Sequence, residues 1–261
     1  MAQVVERILG KDEVGSSSLP SSSISGNNSS PIFLCTEKFM NIIAHIQNDY
    51  TSKFGVPRQS GLVNEEESLI IFEPEYRVAE AIRGLDNFNY IWLIWEFSEV
   101  KDKEWSPTVR PPRLGGNKRV GVFATRSPFR PNSIGLSSVK IKCIEKTEKY
   151  GYVIKVQGAD LMNGTPIYDI KPYLPYADCH TDASNGFADT EFKKLSVIIP
   201  ESIENIFPKE KLNALIATLE QDPRPQYIDD PSREFGLTFA EYNIKFTVTN
   251  NILTVKEITK I

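Results

Sequence analysis

The chain has 261 residues, of which 40% are hydrophobic and 25% are charged, and its formal net charge is -4. This is the composition of a folded, water-soluble protein with room for one sizeable core and a smaller appended unit. The acidic balance excludes nucleic-acid binding by bulk positive charge, so a polyanion site requires a local concentration of Lys and Arg.

The N-terminal segment is typical of neither a targeting sequence nor a folded element. Glu6, Asp12 and Glu13 interrupt a run with too few apolar residues for a signal peptide, and they also argue against a transit peptide. Residues 16–30 are nearly all Ser, Gly, Asn and Pro, which bury too little apolar surface to offset their ordering entropy. We predict a disordered Ser-rich tail over residues 1–31 and a cytoplasmic protein. No membrane span is expected, because the most apolar stretch is far shorter than the roughly 20 residues required.

Short runs of branched and aromatic residues dominate the chain after the tail. They predict strands over Asn41–Gln47, Leu69–Phe72, Asn89–Phe97, Val120–Ala124, Val139–Ile144, Tyr152–Val156 and Pro166–Ile170. One helix is predicted over Tyr76–Arg83, with Gly84 as its C-terminal cap. Strands at this spacing, separated by Gly and Pro, favour a closed or nearly closed β-barrel over βαβ units. The predicted fold class is therefore mainly β, with the barrel over residues 32–185.

The composition changes near residue 185, where a second unit is predicted. Apolar spacing over Glu201–Glu220 indicates one or two helices. Two strands follow, Thr238–Val248 and Ile252–Ile258, joined at Asn250 and Asn251, which tolerate positive φ. Residues 186–261 are thus predicted to form a small α+β unit.

Basic residues are concentrated between Trp105 and Ile144. This stretch contains no Asp or Glu and eight basic residues, namely Arg110, Arg113, Lys118, Arg119, Arg126, Arg130, Lys140 and Lys142. A one-sided basic surface on an acidic protein attracts a polyanion, for which RNA or DNA is the candidate. Prolines stand directly beside three of the arginines and two residues after Arg126, and they stiffen the loops that carry them, which lowers the entropy lost on binding. The alternatives are a solvated basic face without a partner and prolines that only form turns between strands.

Several familiar catalytic patterns are missing from the sequence. Its two histidines, His45 and His180, exclude an H-E-x-x-H site, and its three cysteines exclude a four-thiolate site, so no metal is predicted. There is also no P-loop, no Rossmann glycine motif and no recognisable nucleophile paired with a His base. Methyl transfer from S-adenosylmethionine is compatible with this absence. The sulfonium is already activated, so the protein has only to align the reactants.

Five ordered segments carry a resemblance to a known family. The longest is VRPPRLGGNKRVGVFATRSPFRPNSIGLS, Val109–Ser137, and the others are Gly55–Leu62, Ile82–Phe97, Asn163–Asp178 and Gln221–Tyr227. Together they closely resemble the TrmO, or YaeB-like, family with its TsaA-like domain, from about Phe39 to the C-terminus. Five blocks in the same order are far more specific than one short motif.

The resemblance implies a β-barrel methyltransferase outside the Rossmann class, with S-adenosyl-L-methionine as cofactor, tRNA as partner and a homodimeric assembly. It implies methylation of the amino nitrogen of threonylcarbamoyladenosine beside the anticodon. It implies donor contacts at Pro57, Arg58, Gln59, Gly61, Leu62, Ser98, Glu99, Arg126, Leu136, Gln157, Gly158, Ala159 and Asp160. The tRNA is expected at the arginine-rich loop and the DPRP segment, through Arg110, Arg113, Lys118, Arg119, Arg130 and Arg224. No catalytic residue is assigned.

The chain departs from the family pattern at a few positions. Family members usually have His in place of Tyr90 and Ser98, and often Asp in place of Asn163. Because Ser98 and Asn163 are expected near the donor, two alternatives stay open: a non-catalytic RNA-binding module and a methyltransferase for another small substrate. Structural roles are the alternatives at single residues, with rim ion pairs for Arg58 and Arg126 and a turn for Asp160. Leu136 has a core position or a backbone contact as its alternative, and Asp222–Pro225 an irregular turn.

Overall fold

The computed structural model describes residues 40–100, 104–189, 194–224 and 230–261. The predicted tail, residues 1–31, and residues 32–39 of the predicted barrel region lie outside the described residues. The strands of the described chain are β1 Ala44–Gln47, β2 Glu67–Phe72, β3 Tyr90–Glu96, β4 Thr108–Val109, β5 Val120–Gly121, β6 Ile134–Thr147, β7 Gly151–Gln157, β8 Pro166–Pro172, β9 Ser196–Ile198, β10 Phe235–Phe239, β11 Tyr242–Thr249 and β12 Ile252–Lys260. The α-helices are α1 Pro175–Asp178, α2 Glu201–Glu204 and α3 Lys209–Glu220.

Six of these strands close into an antiparallel barrel in the order β1-β2-β7-β6-β3-β8. In β2 and β3 every second residue is buried, because alternate side chains of a strand point to opposite faces. Ile70, Ile91, Leu93 and Ile154 are completely buried and belong to the core of the barrel. The prediction of a mainly β protein built on a closed or nearly closed ring of strands is confirmed.

The predicted helix over Tyr76–Arg83 is wrong. Short 3-10 turns occupy this region, at Pro74–Tyr76, Ala79–Ile82 and Leu85–Asn87. Val78 has extended backbone angles, φ -104° and ψ 121°, which interrupt a continuous helix. Gly84 has φ 84° and precedes the third turn instead of capping a helix.

The predicted strand over Val120–Ala124 is only partly correct. Val120–Gly121 forms β5, which pairs with β4, and a 3-10 turn then spans Val122–Ala124. The Val122 amide donates to the carbonyl of Pro107 at 3.0 Å and its side chain is buried, so the chain turns inward here. This two-stranded hairpin and the loops around it, residues 105–133, are called the basic arm below. Other 3-10 turns lie at Ser98–Val100, Pro112–Leu114 and Gly186–Ala188.

The C-terminal region is a four-stranded sheet in the order β10-β11-β12-β9 with α3 packed nearby. The predicted helical region divides into α2 and α3, with Pro208 at the N-cap of α3. The single strand predicted over Thr238–Val248 is a hairpin, because Ala240 has φ 53° and its amide donates to the carbonyl of Asp49 at 2.9 Å. Asn250 and Asn251 have φ 51° and 62°, which confirms the predicted turn.

The barrel and the C-terminal sheet have separate cores that meet at the chain between β1 and β2. Tyr50 comes from the barrel segment but is completely buried in the C-terminal core, where its hydroxyl lies 3.3 Å from Thr218 Oγ1. Lys211 on α3 forms an ion pair with Asp49, with 2.6 Å between Nζ and Oδ1. Within the described ranges, no helix has the length and apolarity needed to cross a membrane.

Candidate active site

One end of the barrel gathers most of the predicted donor residues, and the strand register explains why. β2 begins where β7 ends, since Glu67 pairs with Gln157, and β6 begins where β3 ends, since Ile134 pairs with Glu96. In an antiparallel sheet the start of one strand lies beside the end of its neighbour. The loop before β2, the end of β3, the start of β6 and the turn after β7 therefore share this end of the barrel.

The loop before β2 lies directly against the turn after β7. The Gly61 amide donates to the carbonyl of Gly158 at 2.8 Å. A Cβ atom at Gly158 would lie 2.8 Å from Asn64 Oδ1 and 3.2 Å from Gly61 Cα, and its φ is 75°. Only glycine fits this close approach without strain. Two predicted donor segments, Pro57–Leu62 and Gln157–Asp160, are thereby brought together.

A buried hydrogen-bond chain ends on the carboxylate of Asp160. Trp95 Nε1 donates to Ser137 Oγ at 2.9 Å, and Ser137 Oγ donates to Asp160 Oδ1 at 2.5 Å. Burial raises the pKa of Asp160, while the Ser137 hydrogen bond and the positive charge of Arg126 act in the opposite direction. Ser137 ends the longest resembling segment but was not predicted as a site residue, because a serine without a neighbouring base indicates no particular chemistry.

Arginine side chains link this end of the barrel to the C-terminal unit. Arg126 Nη1 donates to Gln59 Oε1, and Gln59 Nε2 donates to the carbonyl of Arg58 at 2.5 Å. Arg58 Nη2 donates in turn to the carbonyl of Asp222 at 2.8 Å. Burial lowers the pKa of Arg58, and the charge of Asp222 opposes that shift. Arg58 is therefore a structural link as well as a predicted donor contact.

The remaining predicted donor residues lie at the same end. Ser98 and Glu99 form an exposed 3-10 turn directly after β3. Leu136 is 54% exposed on β6, unusual for a leucine in a barrel strand. Its neighbour Gly135 lies against Trp95, where an added Cβ would stand 2.3 Å from the ring. Leu136 is thus neither a core residue nor covered by the chain.

A groove of about 630 Å³ adjoins the donor loop. Gly61 and Leu62 form one wall, and Arg113 and Lys194 contribute positive charge to the lining. Asp189 and Glu65 also line the groove, so its charge is mixed. The groove contains only part of the predicted donor set.

The basic arm fixes several of its arginines through backbone carbonyls. Arg119 donates from Nε to Thr108 Oγ1 at 2.6 Å and from Nη2 to the Thr108 carbonyl at 2.9 Å. Arg113 donates to the carbonyl of Ala188. Arg110 and Lys118 are exposed on the same arm. These predicted tRNA contacts therefore lie together on a surface whose own sequence contains no acidic residue between Trp105 and Ile144.

Arg224 is placed differently from the other predicted tRNA contacts. Its Nε and Nη2 donate to both carboxylate oxygens of Asp222, at 2.7 and 2.9 Å, and only 14% of its side chain is exposed. A guanidinium that is paired and largely buried is poorly suited to neutralise a phosphate. The geometry gives Arg224 a structural role in holding the turn that receives Arg58.

Two further sequence interpretations concern metals and Asn163. Among the described residues, no group of three or more His, Cys, Asp and Glu side chains is placed to hold a metal ion. Asp178 accepts hydrogen bonds from Trp92 Nε1 at 3.0 Å and from the Leu174 amide at 2.8 Å. Asn163 Oδ1 accepts from the Asn48 amide at 3.0 Å and supports a turn.

Comparison with known proteins identifies both parts of the chain. Residues 45–179 match the tRNA-methyltransferase O N-terminal domain, and residues 193–261 match the TrmO C-terminal domain. The tRNA (adenine(37)-N6)-methyltransferase of Escherichia coli is 41% identical over 219 residues, which cover 80% of this chain and 92% of the relative. A putative S-adenosylmethionine-dependent methyltransferase of Pseudomonas aeruginosa is 35% identical, covering 77% of this chain and 89% of the relative.

Solved structures agree with these sequence matches. A crystal structure of TrmO from Pseudomonas aeruginosa superposes with a TM-score of 0.70 at 28% identity, covering 85% of this chain and 97% of that one. The same architecture thus accompanies the matched domains across nearly the whole described chain. This chain belongs to the TrmO family of tRNA methyltransferases.

Proposed function

We propose that this protein is an S-adenosylmethionine-dependent tRNA methyltransferase that modifies the amino nitrogen of adenine 37, beside the anticodon. The observation that carries the proposal is the meeting of two surfaces: the barrel end that holds the predicted donor residues, and the acid-free basic arm. Arg126 belongs to both, since it lies on the arm and donates to Gln59 of the donor loop. The relatives that bear this activity in their names support the same conclusion.

The residues at the barrel end fit the chemical groups of the donor. Asp160 is a largely buried carboxylate held by Ser137, and a cationic ligand would stabilise its charged form. Arg126 offers a guanidinium for the carboxylate of the donor, and exposed Leu136 offers apolar contact for its adenine. S-adenosylmethionine supplies the activated methyl group when it is bound. The protein's part is to orient donor and acceptor and to exclude water.

The acceptor proposed is threonylcarbamoyladenosine in the anticodon loop. A loop base is partly unstacked, so presenting its amino nitrogen costs less than extruding a base from a duplex. Arg110, Lys118 and Arg119 are available at the arm surface to contact the phosphates around that loop. No protein group is assigned as general base, because the methylated amine is able to release its proton to water.

We further propose that the protein acts as a homodimer, as the family resemblance implies. The cytoplasm, where tRNA is available, is the proposed location.

Incubation of the protein with labelled S-adenosylmethionine and tRNA tests the proposed activity. Two tRNA preparations are compared, one with and one without the threonylcarbamoyl group on adenine 37. Label should enter only the modified tRNA, and it should be recovered in the modified adenosine after nuclease digestion. Absence of transfer to either preparation would defeat the proposed activity.

Calorimetric measurement of S-adenosylmethionine binding distinguishes the two alternatives, a methyltransferase for another small substrate and a non-catalytic RNA-binding module. S-adenosylmethionine binding without transfer to tRNA would point to another small substrate. No donor binding, combined with salt-sensitive tRNA binding, would point to a non-catalytic RNA-binding module.

A further inference from the structure

The basic arm holds a phenylalanine almost entirely in solvent. The side chain of Phe123 is 73% exposed, although the preceding residue, Val122, is buried. The turn that carries it is fixed, because the Val122 amide donates to the Pro107 carbonyl at 3.0 Å and the Thr125 amide donates to the Val122 carbonyl at 3.1 Å. The ring is therefore held outward by an ordered backbone.

The guanidinium of Arg130 lies against the exposed ring of Phe123. The guanidinium carbon of Arg130 lies 5.6 Å from the centroid of Phe123, within the range of a cation–π contact. Arg130 Nη1 donates to the Thr125 carbonyl at 2.7 Å and to the Val122 carbonyl at 3.2 Å. The guanidinium is anchored to the same turn that carries the ring, so ring and cation form one rigid unit.

The charge around this unit is complementary to a polyanion. No acidic residue occurs between Trp105 and Ile144, and none of the ion pairs found among the described residues includes Arg130. Arg126, which donates to the donor loop, follows Phe123 by three residues. The turn that carries the ring is thus connected within three residues to a side chain that contacts the donor loop.

A lone exposed apolar side chain is common and needs no ligand. An aromatic ring with an anchored cation on an acid-free basic surface is more specific. Unpaired nucleobases stack on aromatic rings and on arginine planes, while neighbouring basic residues neutralise the phosphates of the same strand. Duplex RNA does not offer a free base face, so the ligand expected is a looped or single-stranded segment.

We infer that Phe123 and Arg130 form a stacking platform for an unpaired nucleobase of the substrate RNA, next to the methyl-donor end of the barrel. The inference rests on the proposed tRNA methyltransferase function and adds a base-binding site to it. Stacking one loop nucleotide on Phe123 fixes the loop beside the donor, so a neighbouring adenine is presented without base-specific hydrogen bonds at the platform.

Substitution of Phe123 in the full chain tests this platform. The dissociation constant for an anticodon stem-loop RNA is compared for wild type, Phe123→Ala and Phe123→Trp, and the oligomeric state of each is measured by sedimentation. Phe54→Ala is the matched control, since Phe54 is 57% exposed but lies outside the basic arm. Loss of one stacked base should weaken binding by roughly 5- to 100-fold in Phe123→Ala, while Phe123→Trp should remain close to wild type.

Salt titration and an altered RNA sharpen the same experiment. The slope of log Kd against log salt should be unchanged in Phe123→Ala, because the substitution removes no charge. Abasic replacement of each loop nucleotide in turn should identify one position at which wild type and Phe123→Ala bind equally. That position is the base that stacks on the platform.

Two results would overturn the platform. One is wild-type affinity of Phe123→Ala for the stem-loop. The other is loss of dimer in Phe123→Ala together with its loss of RNA binding, which would make the ring a subunit contact. Failure of the proposed methyltransferase function is distinguishable from these results. In that case RNA binding still depends on Phe123, but the wild-type protein transfers no methyl group.

Discussion

The barrel end and the basic arm hold polar side chains in opposite ways. At the barrel end, Trp95, Ser137 and Asp160 form a chain of hydrogen bonds with little access to water. On the arm, Arg119 and Arg130 are tied to backbone carbonyls while their surroundings are open to solvent. The first arrangement fixes a single carboxylate, and the second fixes a surface of positive charge.

This difference separates the two tasks expected of the protein. A buried carboxylate interacts strongly with one nearby cationic group, because water does not screen it. Exposed guanidinium groups interact more weakly and over a wider area, and salt screens them. The barrel end is therefore suited to a small charged ligand, and the arm is suited to a large polyanion.

Arg126→Ala should have the largest effect, because Arg126 connects the two regions. A charge-assisted hydrogen bond, such as the one proposed between Arg126 and the carboxylate of the donor, contributes about 1.5–3 kcal/mol, or about 10- to 100-fold in a rate or binding constant. We expect a loss of that order in kcat/KM for methyl transfer, with Arg126→Lys recovering part of it. Denaturant unfolding serves as control and should change little, because Arg126 is exposed. Unchanged turnover would remove Arg126 from the site.

Substitution of one glycine in the barrel and one in the basic arm tests how tightly each region is packed. A Cβ at Gly135 would stand 2.3 Å from the Trp95 ring, whereas a Cβ at Gly121 on the arm meets nothing within 4 Å. Overpacking of this kind costs about 1–3 kcal/mol, and we expect Gly135→Ala near the upper end of that range. Gly121→Ala should change the free energy of unfolding by less than about 0.5 kcal/mol. Equal losses of unfolding free energy in the two variants, measured by urea unfolding, would contradict this difference in packing.

Glu66 offers a pH test of the buried region. It is 2% exposed and accepts from the Asp49 amide at 3.1 Å. Burial, and then the charge of Asp49, raises its pKa from 4.5 to about 7. Between these values the folded protein binds more protons than the unfolded chain, so stability falls as pH rises through this window and is level above it.

Glu66→Gln should abolish that part of the pH dependence. Its stability relative to wild type should increase by about 3 kcal/mol between pH 4 and pH 8. Urea unfolding of both proteins across this range measures the difference. A parallel pH profile for the two would show that Glu66 does not titrate there.

Neutralising single charges on the arm should have the smallest effect. Arg110→Gln and Lys118→Gln should each weaken tRNA binding a few-fold and reduce the salt slope by about 1. Lys256→Gln, at an exposed position on β12, is the control and should leave the slope unchanged. Salt slopes equal to wild type in both arm variants would exclude these side chains as phosphate contacts.

The sequence predicts most of the barrel strands because their signals are local. Alternation of buried and exposed residues in Tyr90–Glu96 and the paired asparagines Asn250 and Asn251 require no knowledge of the rest of the fold. β9, with three residues, was not predicted, because a strand so short is defined by its parallel pairing with distant β12. The helix predicted over Tyr76–Arg83 does not form, because the extended backbone of Val78 interrupts an otherwise helical pattern.

The candidate site was predictable only through the family resemblance. Its residues meet because of long-range register, such as Glu67 with Gln157, which composition and spacing do not encode. Ser137 and Asp222 lie within the resembling segments but were not assigned to the site, yet they hold Asp160 and Arg58 in place. The resemblance also placed Arg224 at the tRNA, whereas the structure pairs it with Asp222.

The burial of Tyr50 in the C-terminal core affects how the protein unfolds. Its ring packs beside Phe239, with 5.7 Å between centroids, although its backbone belongs to the segment that leads from β1 to the donor loop. Melting of the C-terminal sheet would expose this ring to water and release the loop that it tethers. The two units should therefore unfold in one cooperative transition, and a barrel expressed alone should lose the order of its ligand-binding loop before it loses its strands.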